Sequence, residues 1–144
     1  MSSTDKDNSN WTLLFICWLL ASVGTLGSLF FSEILDYPPC VLCWYQRICL
    51  FPLVVILFTG LFPYNPSVVK FSLPLAIIGW TVAAYHNLLY IGVIPKSIQP
   101  CDKALSCTDV QLELFSFITI PFLSFIAFST LIFLLIILHR RSNK

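Results

Sequence analysis

Two cysteines and an arginine near the start of one apolar run have the types and spacing that thiol chemistry needs. Cys40 and Cys43 stand three residues apart directly after a pair of prolines, and Arg47 follows one helical turn later. On a helix these positions are i, i+3 and i+7, so the three side chains share one face. A membrane helix that begins with paired thiols and carries a guanidinium below them favours electron transfer at a membrane surface.

The composition places the chain among integral membrane proteins. Of its 144 residues, 58% are hydrophobic and only 10% are charged, and the mean hydropathy is +0.87. A soluble domain usually carries about 25% charged residues. The net charge of +1, without a basic patch that contains aromatic residues, gives no indication of a nucleic acid or an acidic partner.

Four runs without Asp, Glu, Lys or Arg indicate the membrane spans: residues 11–32, 48–69, 71–95 and 114–138. Each is close to or above the ~20 residues that cross a bilayer core. We predict an all-α fold, an integral membrane four-helix bundle in which residues 1–144 form a single domain with two extracytoplasmic loops. The leader before the first run lacks a positive region, so we expect this span to be retained and not cleaved as a signal peptide. The predicted spans are about 11–32, 41–62, 68–92 and 113–138.

The distribution of positive charge predicts the orientation. Arg140, Arg141 and Lys144 follow the last span, whereas the loop 33–39 contains acidic residues and neither Lys nor Arg. The positive-inside rule then places both termini in the cytoplasm. The loops 33–39 and about 93–112 face outward, and four of the six cysteines lie on that side.

The outward cysteines form two pairs, Cys40 with Cys43 and Cys101 with Cys107. As structural disulfides they would close rings so small that each would contribute only about 2 kcal/mol. Two redox-active dithiols that exchange one disulfide are the sharper hypothesis, because exchange needs an accessible sulfur and a second pair nearby. A four-thiolate zinc site is the competing hypothesis, but an oxidising compartment and a buried arginine argue against it.

Two further cysteines lie inside predicted spans: Cys17 is in the first span, and Cys49 is in the second, off the face that the first pair shares with Arg47. A lone cysteine in such a position is most often a small apolar residue of the core, so we predict structural roles. Gly24, Gly27 and Ser28 in the first span predict a close approach of another helix.

His86 is the one histidine inside a span, and an ionisable group in a membrane indicates function. Arg47 lies about 9 Å below the outer start of the second span, and His86 lies about 9 Å below the outer end of the third, at 1.5 Å per residue. We therefore expect the two side chains to line one pocket. No dinucleotide-binding loop or haem-attachment motif is present, so we predict a lipid-soluble electron acceptor, a quinone, with Trp44 or Tyr45 flanking its ring.

The motif from Pro39 to Arg47, PCVLCWYQR, resembles that of the DsbB/BdbC family of disulfide bond formation proteins. The resemblance covers nearly the whole chain: four spans, two outer loops, a C-x-x-C at the start of the second helix and a second cysteine pair before the fourth. The short spacing of that second pair is similar to the BdbC-type loop. The resemblance implies a thiol:quinone oxidoreductase in the bacterial cytoplasmic membrane.

The resemblance also implies roles for individual residues. Cys40 and Cys43 correspond to the pair that passes electrons to ubiquinone or menaquinone, with Cys43 nearest the ring. Arg47 corresponds to the arginine of the quinone site, and His86 to a polar neighbour of the quinone.

The second pair corresponds to the one that meets the partner protein. Cys101 would form the mixed disulfide with a DsbA-like thioredoxin-fold partner, and Cys107 would exchange with Cys40. Two other functions stay open at this point: a membrane thiol reductase that runs in the reverse direction, and a small carrier or channel subunit in which Arg47 and His86 mark a permeation path.

Overall fold

The computed structural model describes residues 3–36, 39–95 and 120–143, and within these ranges it contains four helices and no strand. All four helices are long and apolar enough to cross a membrane, which confirms the predicted class. Cys101, Cys107 and the predicted start of the fourth span at 113 lie outside the described residues. The helices are α1 (Ser3–Glu33), α2 (Val41–Leu61), α3 (Val68–Tyr90) and α4 (Ile120–Ser142).

The bounds of α2 and α3 agree with the prediction to within two residues, whereas α1 and α4 extend further. Helix α1 begins at Ser3, well before the apolar run, and Asp5 in its first turn interacts favourably with the helix dipole. Helix α4 continues to Ser142 and carries Arg140 and Arg141 in its last turn, where positive charge is favourable. Hydropathy therefore locates the apolar spans but not the polar ends of these helices.

The four helices pack in a ring in which α1 contacts α2 and α4, and α3 contacts the same two helices. Side chains from all four form the main core, which includes Leu14 of α1, Leu57 of α2, Ala76 of α3 and Leu131 of α4. Many large apolar side chains point outward instead, as expected where lipid is the surrounding solvent.

The cysteines inside the spans lie in the core, as predicted. Cys17 belongs to the main cluster, and Cys49 is likewise buried. A smaller separate cluster at the end of the bundle where α2 begins contains Cys40, Leu42 and Leu89. Cys40 thus lies outside the main core, in this smaller cluster.

The small residues of α1 have two different roles. A Cβ added to Gly24 would lie 3.3 Å from Leu50 Cδ2, so this glycine permits the close approach that the sequence predicts. A Cβ on Gly27 would meet nothing within 4 Å. Gly24, Gly27 and Ser28 all line one cavity, so helix packing alone does not account for these small residues.

At Gly79 of α3, the side chain of Phe128 from α4 leaves no room for a Cβ atom. A Cβ there would overlap the Phe128 ring and would lie 3.2 Å from the Cys49 Cβ. We expect Gly79→Ala to lower the thermal unfolding midpoint in detergent, because overpacking costs about 1–3 kcal/mol against the ~1 kcal/mol that alanine gains over glycine in a helix. Gly27→Ala is the matched control and should leave the midpoint unchanged or raise it. Equal midpoints for the two variants would contradict this account of the packing.

Candidate functional site

Cys40 occupies the N-cap of α2 and uses its sulfur as the capping atom. Its backbone is extended, with φ −64° and ψ 163°, and the Sγ atom accepts a hydrogen bond from the Cys43 backbone N–H at 3.2 Å. Serine, threonine, aspartate and asparagine usually satisfy this free N–H. The spacing of the C-x-x-C motif is the spacing of a cap residue and its N3 position, so the helix start itself holds the two cysteines together.

Both cysteines are free thiols in the structure. Cys40 is only 3% exposed, and Cys43 is half-buried. Their sulfur atoms and a ring nitrogen of His86 all lie within 4.8 Å of one another. The two sulfur atoms and a buried imidazole therefore form one cluster.

His86 joins α3 to this end of α2. Its Nε2 atom lies 3.8 Å from Cys40 Sγ, and its Nδ1 atom lies 3.3 Å from the side-chain nitrogen of Gln46. All three residues are buried. Because each ring nitrogen has a polar neighbour, the imidazole is fixed in orientation and can hold or release a proton next to the Cys40 sulfur.

Arg47 points toward α1. Its Nη2 atom donates a 2.6 Å hydrogen bond to the backbone carbonyl of Ser28, and its guanidinium carbon lies 5.5 Å from the centre of the Trp44 ring, within the range of a cation–π contact. Only 8% of the residue is exposed. A guanidinium has five N–H donors, so the bond to Ser28 leaves further donors for a ligand.

A cavity of about 430 Å³ lies between α1, α2 and α4. Its wall includes Cys40, Cys43, Gln46 and Arg47, which confirms the face that the sequence predicts for the two thiols and the arginine. The rest of the wall is mainly apolar and includes Leu20, Phe31, Leu50, Leu123 and Phe128. An apolar cavity of this size with a few polar groups is typical of a small-molecule site.

The expectation that Arg47 and His86 line one pocket does not hold. His86 contacts Cys40 and Gln46, which line the cavity, but it is not itself among the lining residues. Consecutive residues of a helix project about 100° apart, so Gln46 reaches α3 while Arg47 reaches α1. The number of residues from the end of a helix predicts the depth of a side chain in the membrane. It does not predict the direction in which that side chain points.

Two aromatic residues of the motif also differ from expectation. Trp44 and Tyr45 are each 52% exposed, and neither lines the cavity. Their positions on the helix turn them toward the outside of the bundle, so they do not flank a ligand in this cavity.

Gln46 is a further residue of the site, beyond those that the sequence predicts. Its signal was an amide inside an apolar span, one turn after Cys43. A buried amide needs hydrogen-bond partners, and this need pointed to a polar neighbour on another helix.

The thiol of Cys40, which lies just before the membrane-spanning segment Val41–Leu61, is strongly acidified. The hydrogen bond from the Cys43 side chain, together with His86 and the Cys43 backbone N–H, outweighs burial and lowers the pKa of Cys40 to about 4. A thiolate is the form that attacks disulfides, and a helix N-terminus favours it. The environment of Cys40 therefore favours its anion at neutral pH.

We expect alkylation of Cys40 in the reduced protein to proceed at a nearly constant rate from about pH 8 down to about pH 5, because the thiolate persists to its lowered pKa. An ordinary thiol loses about tenfold in rate per pH unit below its pKa of ~8.5. The measurement is the rate of iodoacetamide modification, mapped by mass spectrometry. The denatured chain is the control, and its alkylation rate should fall about tenfold per pH unit. The same fall in the folded protein would contradict a lowered pKa of Cys40.

Comparison with known protein families gives a match over most of the chain. The family model described as "Disulfide bond formation protein DsbB" matches residues 9–138. No solved structure matches the chain.

Curated bacterial relatives match over almost their full length. The chain is 43% identical over 134 residues to "Probable disulfide formation protein" of Metapseudomonas resinovorans, covering 92% of this chain and 93% of that protein. It is 42% identical over 131 residues to "Disulfide bond formation protein C" of Bacillus subtilis (strain 168), covering 91% and 95%. The chain therefore belongs to the DsbB family of disulfide bond formation proteins.

Proposed function

We propose that this protein is a membrane thiol oxidase that reoxidises an extracytoplasmic DsbA-like protein of thioredoxin fold and passes the electrons to quinone. The observation that supports it most is the wall of the cavity, where Cys40, Cys43 and Arg47 meet one apolar volume. Dithiol and electron acceptor would then be neighbours inside the bundle. The proposal places the protein in the bacterial cytoplasmic membrane, with both termini inside and the cysteine loops outside.

The thiol steps conserve atoms and electrons. The Cys101–Cys107 disulfide would take two electrons and two protons from the partner's dithiol, which closes to a disulfide. The resulting Cys101/Cys107 dithiol would reduce a Cys40–Cys43 disulfide by the same exchange, with Cys107 attacking Cys40. That attack would expel Cys43 as the leaving thiolate and join Cys107 to Cys40. Cys101 would then attack Cys107 and expel Cys40, whose lowered pKa makes it a good leaving group in this second step.

A quinone fits the residues of the cavity. When bound, it supplies an acceptor for two electrons and two protons. The apolar walls suit a ring with a lipid tail, and the remaining N–H donors of Arg47 suit a carbonyl oxygen that gains negative charge. His86, beside Cys40, is placed to hold the proton that a thiol loses as the pair closes.

The alternatives differ in how well they agree with these observations. Family membership supports disulfide formation, which a carrier or channel subunit would not require. A thiol reductase would use the same residues in the opposite direction, so geometry does not separate it from an oxidase and the reaction must be measured. Ubiquinone and menaquinone would both fit, because each offers a lipid tail for the apolar walls and a carbonyl oxygen for Arg47.

The direct test is anaerobic mixing of the purified protein with a reduced DsbA-like partner and quinone, followed by quinol absorbance. We expect one quinol per disulfide formed in the partner. A variant with Cys40→Ser should form none, because the pair can no longer close. Faster reduction of an oxidised partner by quinol would establish the reductase direction, and no electron transfer in either direction would refute the proposal.

Arg47→Met tests the cavity as the quinone site. Loss of a charge-assisted hydrogen bond of about 1.5–3 kcal/mol predicts a roughly 10- to 150-fold increase in the apparent quinone KM. The apparent quinone KM of Arg47→Lys should lie between those of the unchanged protein and Arg47→Met, because lysine keeps the charge but not the planar fork of donors. Single-turnover disulfide transfer to the partner should persist in both variants, since it needs no quinone. Arg140→Met, at the exposed end of α4, is the matched control, and unchanged quinone kinetics in folded Arg47→Met would exclude this site.

A further inference from the structure

We propose that the reduced protein binds a divalent d¹⁰ cation, Zn²⁺ or Cd²⁺, through the sulfur atoms of Cys40 and Cys43 and the Nε2 atom of His86. The site shares its thiols with the proposed electron transfer, but it needs neither quinone nor partner. It differs from the four-thiolate site considered for the sequence because a histidine from α3 replaces the second cysteine pair.

The distances among the three ligand atoms suit tetrahedral coordination. With Zn–S near 2.3 Å and Zn–N near 2.0–2.1 Å, two sulfur ligands lie about 3.8 Å apart and a sulfur and a nitrogen about 3.6 Å apart. Cys40 Sγ and His86 Nε2 are 3.8 Å apart, and the three ligand atoms all lie within 4.8 Å of one another. Small side-chain rotations would therefore complete the site without moving a helix.

The metal complex would carry no net charge, which suits a buried site. Two thiolates and a neutral imidazole compensate a divalent cation completely, so the complex carries no net charge. Cys40 and His86 are almost fully buried, and an uncompensated charge in such a place is costly. The Cys43 backbone N–H that already bonds Cys40 Sγ would support the sulfur as a ligand.

Gln46 gives the histidine the outer partner that metal-binding histidines usually have. With Nε2 directed to Cys40, the opposite ring nitrogen Nδ1 lies 3.3 Å from the Gln46 side-chain amide. An amide offers an oxygen acceptor as well as a nitrogen donor, so it can accept the Nδ1–H bond that leaves Nε2 free for the metal. The orientation of the imidazole is thus already the one that the site requires.

Binding would depend on the redox state of the cysteine pair. A disulfide offers no thiolate, so only the reduced protein would bind the cation, and two thiol protons would be released on binding. The bound cation would hold both sulfur atoms apart and would prevent the pair from closing. The cation itself is neither oxidised nor reduced.

The test uses the full chain in detergent with both Cys101→Ser and Cys107→Ser, so that the second cysteine pair contributes no ligand. Cd²⁺ is titrated into the reduced and the oxidised protein, and the sulfur-to-cadmium charge-transfer absorbance is followed. We expect one Cd²⁺ per reduced chain and none per oxidised chain. Protection of Cys40 and Cys43 against alkylation in the same molecules, mapped by mass spectrometry, is a second measurement that needs no further variant.

Variants then assign the ligands. His86→Ala should weaken Cd²⁺ binding by more than about 10- to 100-fold, and Gln46→Leu by about that range, because removal of an outer partner alone has this effect. His139→Ala, which changes a half-buried histidine at the end of α4, and Cys49→Ala are matched controls that should leave binding unchanged. Circular dichroism verifies the fold of each variant.

Three results would overturn the inference: no charge-transfer band in the reduced protein, equal binding by the oxidised protein, or unchanged affinity in folded His86→Ala. The proposed oxidase function is tested separately, with metal-free protein in the presence of a chelator. Failure of cadmium binding would leave that function standing, and failure of quinone reduction would leave the metal site standing.

Discussion

The hydrogen bond from the Cys43 backbone N–H to the Cys40 sulfur is the interaction on which the thiol end of the molecule depends. It starts α2 at the residue after Cys40, holds the second cysteine one turn away and directs both toward the same cavity. The cap also provides a partial positive charge at the sulfur. One local contact therefore defines a helix terminus and the spacing of a dithiol, and it adds to the lowering of the Cys40 pKa that the Cys43 side chain mainly causes.

The cavity exists because α1 carries small residues at the level of the thiols. Gly24 brings α1 close to Leu50, whereas Gly27 one turn later leaves space unfilled. Between them and α4 an apolar volume remains that reaches the cysteine pair. Both glycines line this volume, but only Gly24 also meets a side chain of the facing helix.

The sequence predicted the spans and the face shared by Cys40, Cys43 and Arg47, because charge-free length and helical periodicity determine both. It did not predict which helix each polar side chain would reach. In a soluble helix the apolar stripe identifies the inner face, but here residues such as Val55 and Phe71 are exposed to the bilayer side and equally apolar. Gln46 points toward α3 and Arg47 toward α1 because of how the helices pack. The residue pattern of α2 alone does not predict these directions. The contact between Gln46 and His86, and the absence of His86 from the cavity wall, are visible only in the structure.

The bond from Arg47 to α1 ends on a backbone carbonyl, that of Ser28, and not on a side chain. Every amino acid supplies this oxygen, so a substitution at position 28 that preserves the helix cannot remove the acceptor. The anchor of the guanidinium is therefore specified by the path of α1 and is insensitive to the identity of the residue there. Mutational drift in the first helix can alter the shape of the cavity while the position of its positive charge stays fixed.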